Sequence, residues 1–214
     1  MSQRQVLLVY GTSYGQTAKI ARYVAGVLIA LGDRVRVVNA DNTPSDLDVH
    51  RFDAIIVGGS VIRGRHQRKV THFVRDHLAT LNTTPSAFFS VSGVAASADE
   101  ASQAESQRFI DEFLGEAGWY PRSAVAIAGA IAYTRYNPIL RWIMRRGSKR
   151  MGGPTDISRD HELTDWSKVE RFVDGFMTTV MARGSSQPET AAAPSRGGLG
   201  AFRSTAREDH HVLG

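Results

Sequence analysis

Short apolar runs alternate along the chain with longer stretches in which apolar residues recur every three or four positions. The first run, Val6–Tyr10, predicts a strand, and Ile20, Val24 and Leu28 line one face of the helix predicted after it. The other predicted strands span residues 34–39, 54–58, 87–91 and 124–131, and the other predicted helices span about 70–77, 105–115 and 166–181. This alternation predicts an α/β fold with a doubly wound five-stranded parallel sheet, which binds ligands at the carboxyl ends of its strands.

Two segments break this alternation. A helical insert of about residues 133–154 lies between the fifth predicted strand and the last predicted helix. The stretch 184–214 is rich in Gly, Ser, Ala, Pro and Arg and has no apolar period, which is typical of a disordered tail. The sequence therefore predicts one domain over residues 1–183, which contains the insert, and a disordered C-terminal tail over residues 184–214.

The loop between the first strand and the first helix has the composition of an anion site. It reads Gly11-Thr12-Ser13-Tyr14-Gly15-Gln16-Thr17. Hydroxyl groups and backbone N–H groups at a helix N-terminus favour an anion, and the absence of Lys and Arg suits one phosphomonoester held by hydrogen bonds. The loop lacks the Gly-Lys-Ser/Thr ending of nucleoside triphosphate loops and the Gly-x-Gly-x-x-Gly spacing of dinucleotide sites. A hydroxyl-rich helix cap with nothing bound is the alternative.

Two further strands also end in loops of small residues. Gly58–Gly64 follows the third predicted strand, and Ser90–Ala96 follows the fourth. Together these loops are expected to flank a flat aromatic ring, and their backbone amides are expected to form hydrogen bonds with the polar edge of that ring. A phospho-receiver domain is excluded, because it requires acidic residues where this chain has Tyr10-Gly11 and Gly58–Ser60.

Composition narrows the possible chemistry. Hydrophobic residues make up 42% of the chain and charged residues 22%, which is typical of a globular protein. The lack of cysteine excludes disulfides, thiolate metal sites and cysteine nucleophiles. No apolar run approaches the roughly 20 residues of a membrane span. His66, His72 and His77 fall in or near a predicted helix and are interpreted as surface or packing residues.

The net charge of the chain is +5, and the insert is a region where positive charge is concentrated. Asn137-Pro138 predicts a helix start, and the residues that follow interleave Ile, Leu, Trp and Met with Arg141, Arg145 and Arg146, with no acidic residue between Arg135 and Arg150. Such a helix suits the interface of an anionic membrane or a clamp on substrate carboxylates. The alternative is a helix packed on its own domain with a solvated charged side. Nucleic-acid binding is not expected, because no aromatic platform or known motif accompanies the charge.

Several motifs resemble those of the flavodoxin-type, quinone-dependent protoporphyrinogen IX dehydrogenases. They are the loop at 11–17, which matches the flavodoxin phosphate loop, Gly59-Ser60-Val61 with Gly64, Pro85–Val91, Ala126–Tyr136, Met151–Asp156 and Thr164–Trp166. The resemblance covers about residues 5–180, and the basic insert lies where that family carries its own. It implies a flavodoxin-like fold with the helical insert after strand five.

The resemblance also implies a cofactor, a reaction and partners. These are FMN, the oxidation of protoporphyrinogen IX to protoporphyrin IX in haem biosynthesis, and menaquinone or ubiquinone as electron acceptor. A peripheral position on the cytoplasmic side of the cell (inner) membrane is implied, with an anionic membrane surface as partner; a homo-oligomer is left open.

Candidate site residues follow from the loops and the resemblance together. The residues expected to bind FMN are Thr12, Ser13, Tyr14, Gly15, Gln16, Thr17, Ser60, Phe88, Ser90, Val91, Ser92, Gly93, Val94, Gly129 and Ala130. Those expected to meet the substrate or the membrane are Arg135, Arg141, Trp142, Arg145 and Arg146. No catalytic acid or base and no metal ligand is assigned.

Two other functions fit a flavin loop. A flavodoxin-like electron carrier would have no substrate of its own, but carriers usually present acidic docking faces and this chain is basic. A quinone reductase that uses a nicotinamide cofactor would oxidise NAD(P)H, and the sequence shows no nicotinamide signature.

Overall fold

The computed structural model describes residues 3–150 and 152–184, so Met151 and most of the predicted tail, residues 185–214, lie outside the described residues. The strands are β1 (Gln5–Gly11), β2 (Arg34–Asn39), β3 (Ala54–Ile62), β4 (Arg65–His66), β5 (Ser86–Ser92), β6 (Ser123–Ala128), β7 (Ala130–Ile131) and β8 (His161–Glu162). The helices are α1 (Gln16–Ala30), α2 (Arg68–Asp76), α3 (Leu78–Thr83), α4 (Glu100–Ala117), α5 (Pro138–Arg150) and α6 (Trp166–Gly184).

Five parallel strands form the central sheet in the order β2-β1-β3-β5-β6. This order of the five predicted strands, 2-1-3-4-5, is that of flavodoxin-like doubly wound sheets, so the predicted fold class is confirmed. The order reverses between β1 and β3, whose carboxyl ends lie side by side with Gly11 opposite Gly59. Such a reversal is where open α/β sheets bind ligands.

The two faces of the sheet bury two separate hydrophobic clusters. Side chains alternate along a strand, so Val6 and Leu8 of β1 pack toward α1 and α6, whereas Leu7 and Val9 pack toward α2, α3 and α4. The same alternation splits the two phenylalanines of β5: Phe89 joins the first cluster and Phe88 the second. The continuous apolar runs of the sequence thus reflect strands that are covered on both sides.

The fifth predicted strand is wrong in one respect, because residues 124–131 do not form a single strand. The run breaks at Gly129, whose N–H bonds to the carbonyl of Ser92 and whose carbonyl accepts from Leu163. Beyond the break, β7 leaves the main sheet and pairs antiparallel with β8, with Ile131 opposite His161. This small sheet leads the chain into the insert and back out of it.

Two other boundaries differ from the prediction. The helix predicted from residue 105 starts at Glu100, because the Asp99 carboxylate accepts a hydrogen bond from the N–H of Ser102 and caps the helix. His66 lies on β4 and not in a helix: β3 turns back through Arg63-Gly64 and pairs antiparallel with β4. The first turn of α4 contains no large apolar residue, so the sequence pattern did not indicate the true start of this helix. The strand β4 is only two residues long, which is too short to produce a recognisable alternation.

The insert helix α5 has an inward and an outward face. Asn137 caps it as predicted, since its side-chain oxygen accepts from the N–H of Leu140 at 2.8 Å. Leu140 and Met144, one turn apart, pack against a small cluster that includes Tyr133 and Tyr136. The described residues contain no helix both long and apolar enough to cross a membrane.

Gly58 is predicted to be essential for the sheet. It lies opposite Phe89 in the register of β3 and β5, and a Cβ on Gly58 would lie 2.0 Å from the Cζ atom of that ring. We expect Gly58→Ala to lower the free energy of unfolding by about 3 kcal/mol, because a fully buried ring has no room to move.

Gly26 of α1 provides the matched control. It is exposed and a Cβ there would meet no atom within 4 Å. Gly26→Ala should raise the free energy of unfolding by about 0.5–1 kcal/mol, because alanine favours the helix. Urea unfolding of the two variants measures both effects, and equal stabilities would contradict the packing argument.

Candidate functional site

A cavity of about 760 Å³ lies at the carboxyl ends of the sheet strands. Four loops and α5 line it, with Thr12, Ser13, Tyr14, Gln16 and Thr17 from the first loop, Ser60, Val61, Ile62 and Arg63 from the second, Val91, Ser92 and Gly93 from the third, Gly129, Ala130 and Ile131 from the fourth, and Tyr136, Asn137, Ile139, Leu140, Ile143 and Met144 from the insert. The structure thus brings together eleven residues that were predicted to bind the cofactor. The walls contributed by α5 were not predicted.

The first loop is held in shape by its own side chains. The N–H of Gly15 donates to the Thr12 hydroxyl at 2.9 Å, and Gly15 has a φ of +95°, a conformation that favours glycine. The Gln67 side chain at the start of α2 donates to the Ser13 hydroxyl at 2.6 Å. These bonds leave the loop and the N-terminus of α1 facing the cavity, where aligned peptide dipoles favour an anion.

The insert is fastened directly to this loop. Nη1 of Arg135 donates to the carbonyl of Tyr14 at 2.6 Å, and Nε of Arg135 lies 3.9 Å from the Asp160 carboxylate. The rings of Tyr14 and Tyr136 meet edge to face, with centroids 4.9 Å apart. A cation from a distant segment therefore lies beside a loop that has no charge of its own. Only the tertiary structure reveals this, because Arg135 and Tyr14 are 121 residues apart.

Two buried hydroxyls in the cavity wall lack partners. Within the described part of the chain, Oγ1 of Thr17 and Oγ of Ser60 have no hydrogen-bonding partner, and Thr17 is only 1% exposed. A buried hydroxyl without a partner costs free energy, so such groups are normally satisfied. The residues present therefore fit a ligand that brings acceptors to both places, such as a phosphomonoester with a polar ring attached.

The other side of the cavity is formed by small residues from the ends of β5 and β6. Ser92 and Gly93 border it at the end of β5, and the Ser92 hydroxyl accepts from the N–H of Ala95 at 3.2 Å. Gly129 and Ala130 lie beside them, where β6 gives way to β7. The Thr164 hydroxyl links this edge to the first loop, because it donates to the carbonyl of Ala128 and accepts from Gln16, both at 2.8 Å.

Four predicted cofactor residues do not line this cavity. Phe88 is buried in the core, where it stacks on Phe113. Ser90 is 1% exposed, and its hydroxyl lies 2.9 Å from Nε2 of His66. Gly15 shapes the first loop through its backbone, and Val94 lines a second cavity that adjoins the first.

The predicted substrate or membrane residues also lie outside the cavity. Arg135 holds the first loop, and Nη2 of Arg141 donates to the carbonyl of Tyr136 at 3.1 Å. Trp142, Arg145 and Arg146 are exposed on α5, with the Arg146 guanidinium over the Trp142 ring at 5.7 Å. These four arginines therefore divide into two that bond to backbone carbonyls and two that face outward.

His66 lies outside the first cavity and contacts Ser90 near the end of β5. Its ring is 9% exposed and packs against Phe88 and Phe113, with centroids 5.2 and 4.6 Å away. Burial lowers the pKa of His66 from 6.5 to about 4, so the ring is neutral near pH 7. The interpretation of His66 as a packing residue therefore agrees with its surroundings, and its bond to Ser90 anchors the end of β5.

We expect protonation of His66 to destabilise the fold. Between pH 6.5 and 4 the unfolded chain binds this proton more readily than the folded protein, so stability is present above this window and lost as the pH falls through it. The loss amounts to as much as roughly 3 kcal/mol. His66→Gln should remove this part of the pH dependence in urea unfolding, whereas His72→Gln, at an exposed position, should keep it. Parallel pH profiles for the wild type and His66→Gln would contradict the expectation.

Comparison with known proteins agrees with this geometry. Residues 7–158 match the flavodoxin domain family. The protoporphyrinogen IX dehydrogenase (quinone) of Escherichia coli strain K12 is 32% identical over 168 residues, which cover 78% of this chain and 92% of that protein. A protein of the same name from Leishmania major is 30% identical over 177 residues, which cover 82% of this chain and 76% of that protein.

A solved structure shows the same fold. Rubredoxin oxygen:oxidoreductase from Desulfovibrio gigas has a TM-score of 0.51 and 15% identity, over 85% of this chain and 37% of that chain. The domain match spans most of the chain, and the Escherichia coli relative aligns over nearly its whole length. The resemblance drawn from the sequence motifs is thus confirmed: the chain belongs to the flavodoxin-domain family and, within it, to the quinone-dependent protoporphyrinogen IX dehydrogenases.

Proposed function

We propose that this protein is an FMN-dependent oxidoreductase that converts protoporphyrinogen IX to protoporphyrin IX in haem biosynthesis and passes the electrons to menaquinone or ubiquinone. The observation that carries the proposal is the cavity, which combines a hydroxyl-lined helix N-terminus with apolar side chains from the basic insert. The names of the Escherichia coli and Leishmania major relatives support the reaction and the type of acceptor.

The first loop would hold the phosphate of FMN. Its hydroxyls, the N–H groups at the start of α1 and the unpartnered Thr17 hydroxyl together supply uncharged donors. The ring would lie against the second, third and fourth loops, where Ser60 brings a second unpartnered hydroxyl. A bound flavin supplies the redox chemistry, while the protein supplies binding, orientation and electrostatics.

The described residues that line the cavity include no carboxylate and no imidazole. Among the described residues that line it, none is Asp, Glu, His or Lys, and the single charged one is Arg63. Leu140 and Met144 of α5, which are partly buried against the Tyr133 and Tyr136 cluster, line the cavity with apolar side chains and reduce the access of water. Positioning and exclusion of water are therefore the roles we assign to the protein.

The outward face of α5 would contact an anionic membrane from the cytoplasmic side. Ile139, Trp142 and Ile143 are 74%, 63% and 50% exposed, an unusual apolar patch for a solvated helix. Arg145, Arg146 and the last-turn cations surround the patch with positive charge. A helix with apolar and cationic surfaces binds at the interface of anionic lipids, which would place a membrane-held quinone beside the cavity.

The function is tested on the purified full-length chain loaded with FMN. We expect stoichiometric flavin absorbance and oxidation of protoporphyrinogen IX coupled to reduction of menadione. FMN uptake without this oxidation would favour the electron-carrier alternative, and oxidation of NAD(P)H would favour the nicotinamide-dependent quinone reductase. A chain that takes up no FMN would exclude the proposal.

Thr17→Val tests the phosphate site. The methyl group fills the space of a buried hydroxyl that has no partner in the described protein, so the FMN-free chain should melt no lower than the wild type. Affinity for FMN should fall about tenfold or more, because a hydrogen bond to the phosphate charge is lost. Thr178→Val, at an exposed position on α6, provides the control and should leave the affinity unchanged. Unchanged affinity in Thr17→Val would remove Thr17 from the site.

Trp142→Ala tests the membrane contact. Loss of the indole should weaken partition onto vesicles of anionic phospholipid by about tenfold, because a large apolar surface no longer enters the lipid. Tyr120→Ala removes an aromatic residue that is 80% exposed elsewhere and should leave partition unchanged. Sedimentation with anionic and with zwitterionic vesicles measures both, and equal loss in the two variants would contradict the assignment to α5.

A further inference from the structure

A second cavity of about 970 Å³ adjoins the first. The two share part of their walls, namely Val61, Arg63, Ser92, Gly93, Ile131, Ile143 and Met144. The remaining walls come from the β3–β4 turn and β4, the third loop, α4, the last turns of α5 and the segment that follows α5. Its volume lies at the upper end of the range of about 300–1,000 Å³ that is usual for ligand sites, which suits a large molecule.

The walls of this cavity combine apolar surface with three arginines and with two glutamates, Glu105 and Glu112. Phe109, Met144 and Leu163 are among the apolar residues. Three arginines line it, but Arg108 is engaged, because it lies 3.9 Å from the Glu105 carboxylate and 3.6 Å from that of Glu112. Over residues 3–150 and 152–184, Arg63 and Arg65 have neither an ion-pair nor a hydrogen-bond partner for their side chains. Two guanidinium groups are therefore free to meet an anion.

Arg63 has a backbone conformation that is unfavourable for arginine. Arg63 and Gly64 are the two-residue turn between β3 and β4, with φ values of +52° and +77°. A turn with positive φ at both positions favours Asn-Gly, whereas an arginine at the first position is strained because its Cβ crowds the backbone there. Among the described residues Arg63 is the one non-glycine residue with positive φ. Strain retained at the boundary of two cavities points to a role for the guanidinium.

The arginines of the insert do not offer an alternative. Arg135, Arg141, Arg145, Arg146 and Arg150 line neither cavity. Arg135 and Arg141 are bonded to backbone carbonyls, and the other three are exposed on α5. A carboxylate inside the second cavity would therefore meet the turn arginines and not those of the insert.

We propose that this second cavity binds the tetrapyrrole, with Arg63 as the partner of one propionate and Arg65 as a second cation at the same rim. The inference rests on the proposed function and adds the substrate site to it. The apolar walls would take the macrocycle, and Arg63 would lie between substrate and cofactor, since it borders both cavities. Guanidinium groups bind carboxylates in a planar, two-bonded geometry, so Arg63 would also orient the ring.

The test compares two ligands and three arginine variants. FMN-loaded, full-length protein is titrated with protoporphyrin IX and with its dimethyl ester, which lacks carboxylates, in the same non-ionic detergent. Arg63→Asn removes the guanidinium and supplies the residue that the turn favours, so it should melt at or above the wild-type temperature. We expect its affinity for the free acid to fall about tenfold while affinity for the ester stays the same. Arg63→Lys should keep part of the affinity.

Arg22→Asn is the matched control for charge, because Arg22 is an exposed residue of α1 that lines neither cavity. It should bind both ligands like the wild type. Wild-type affinity of Arg63→Asn for the free acid would overturn the proposal, and so would an equal loss for acid and ester. A loss of FMN affinity alone would assign Arg63 to the cofactor. A wild-type chain that takes up no FMN would instead refute the proposed function, so the two failures are distinguishable.

Discussion

The hydrogen bond from Arg135 to the carbonyl of Tyr14 determines where the insert lies. It joins the first loop to the segment that leads into α5, and the edge-to-face contact of Tyr14 with Tyr136 strengthens the same junction. Because α5 supplies walls to both cavities, their shape depends on this junction. A charge-assisted bond to a backbone carbonyl is directional, so it positions the insert more closely than apolar packing alone would.

The faces of the central sheet are buried by helices, so its functional residues lie at the carboxyl ends of its strands. Strands covered on both faces leave their carboxyl ends as the place where backbone and small side chains meet a ligand. Phe88 and Phe89 show how this works, since both side chains enter the core on opposite faces. Three residues later Ser92 borders the cavity. The strand β5 therefore contributes residues both to the core and to the cavity. The position of a residue along the strand determines to which of the two it belongs.

Two of the five buried polar side-chain atoms that lack a partner in the described residues lie at the first cavity. The hydroxyls of Thr17 and Ser60 lack partners in the described chain, and Arg63 holds a backbone conformation that another residue would adopt more easily. Each feature disfavours folding by itself, and a ligand with acceptors would supply the partners that the two hydroxyls lack. His66 shows the opposite arrangement, because its buried ring is neutral and bonded to Ser90. It supports the site without entering it.

Local patterns in the sequence were sufficient for the sheet, the order of its elements and the first loop. Apolar runs and helical periods depend on neighbouring residues, and the donors of a phosphate loop are consecutive. The break at Gly129, the β3–β4 turn and the approach of Arg135 to Tyr14 depend on segments far apart in the chain. Periodicity indicates that α5 is amphipathic but not which neighbour its faces meet. The tertiary structure alone decided that Leu140 and Met144 face the domain and that Trp142 faces outward, because burial is a property of the assembled fold.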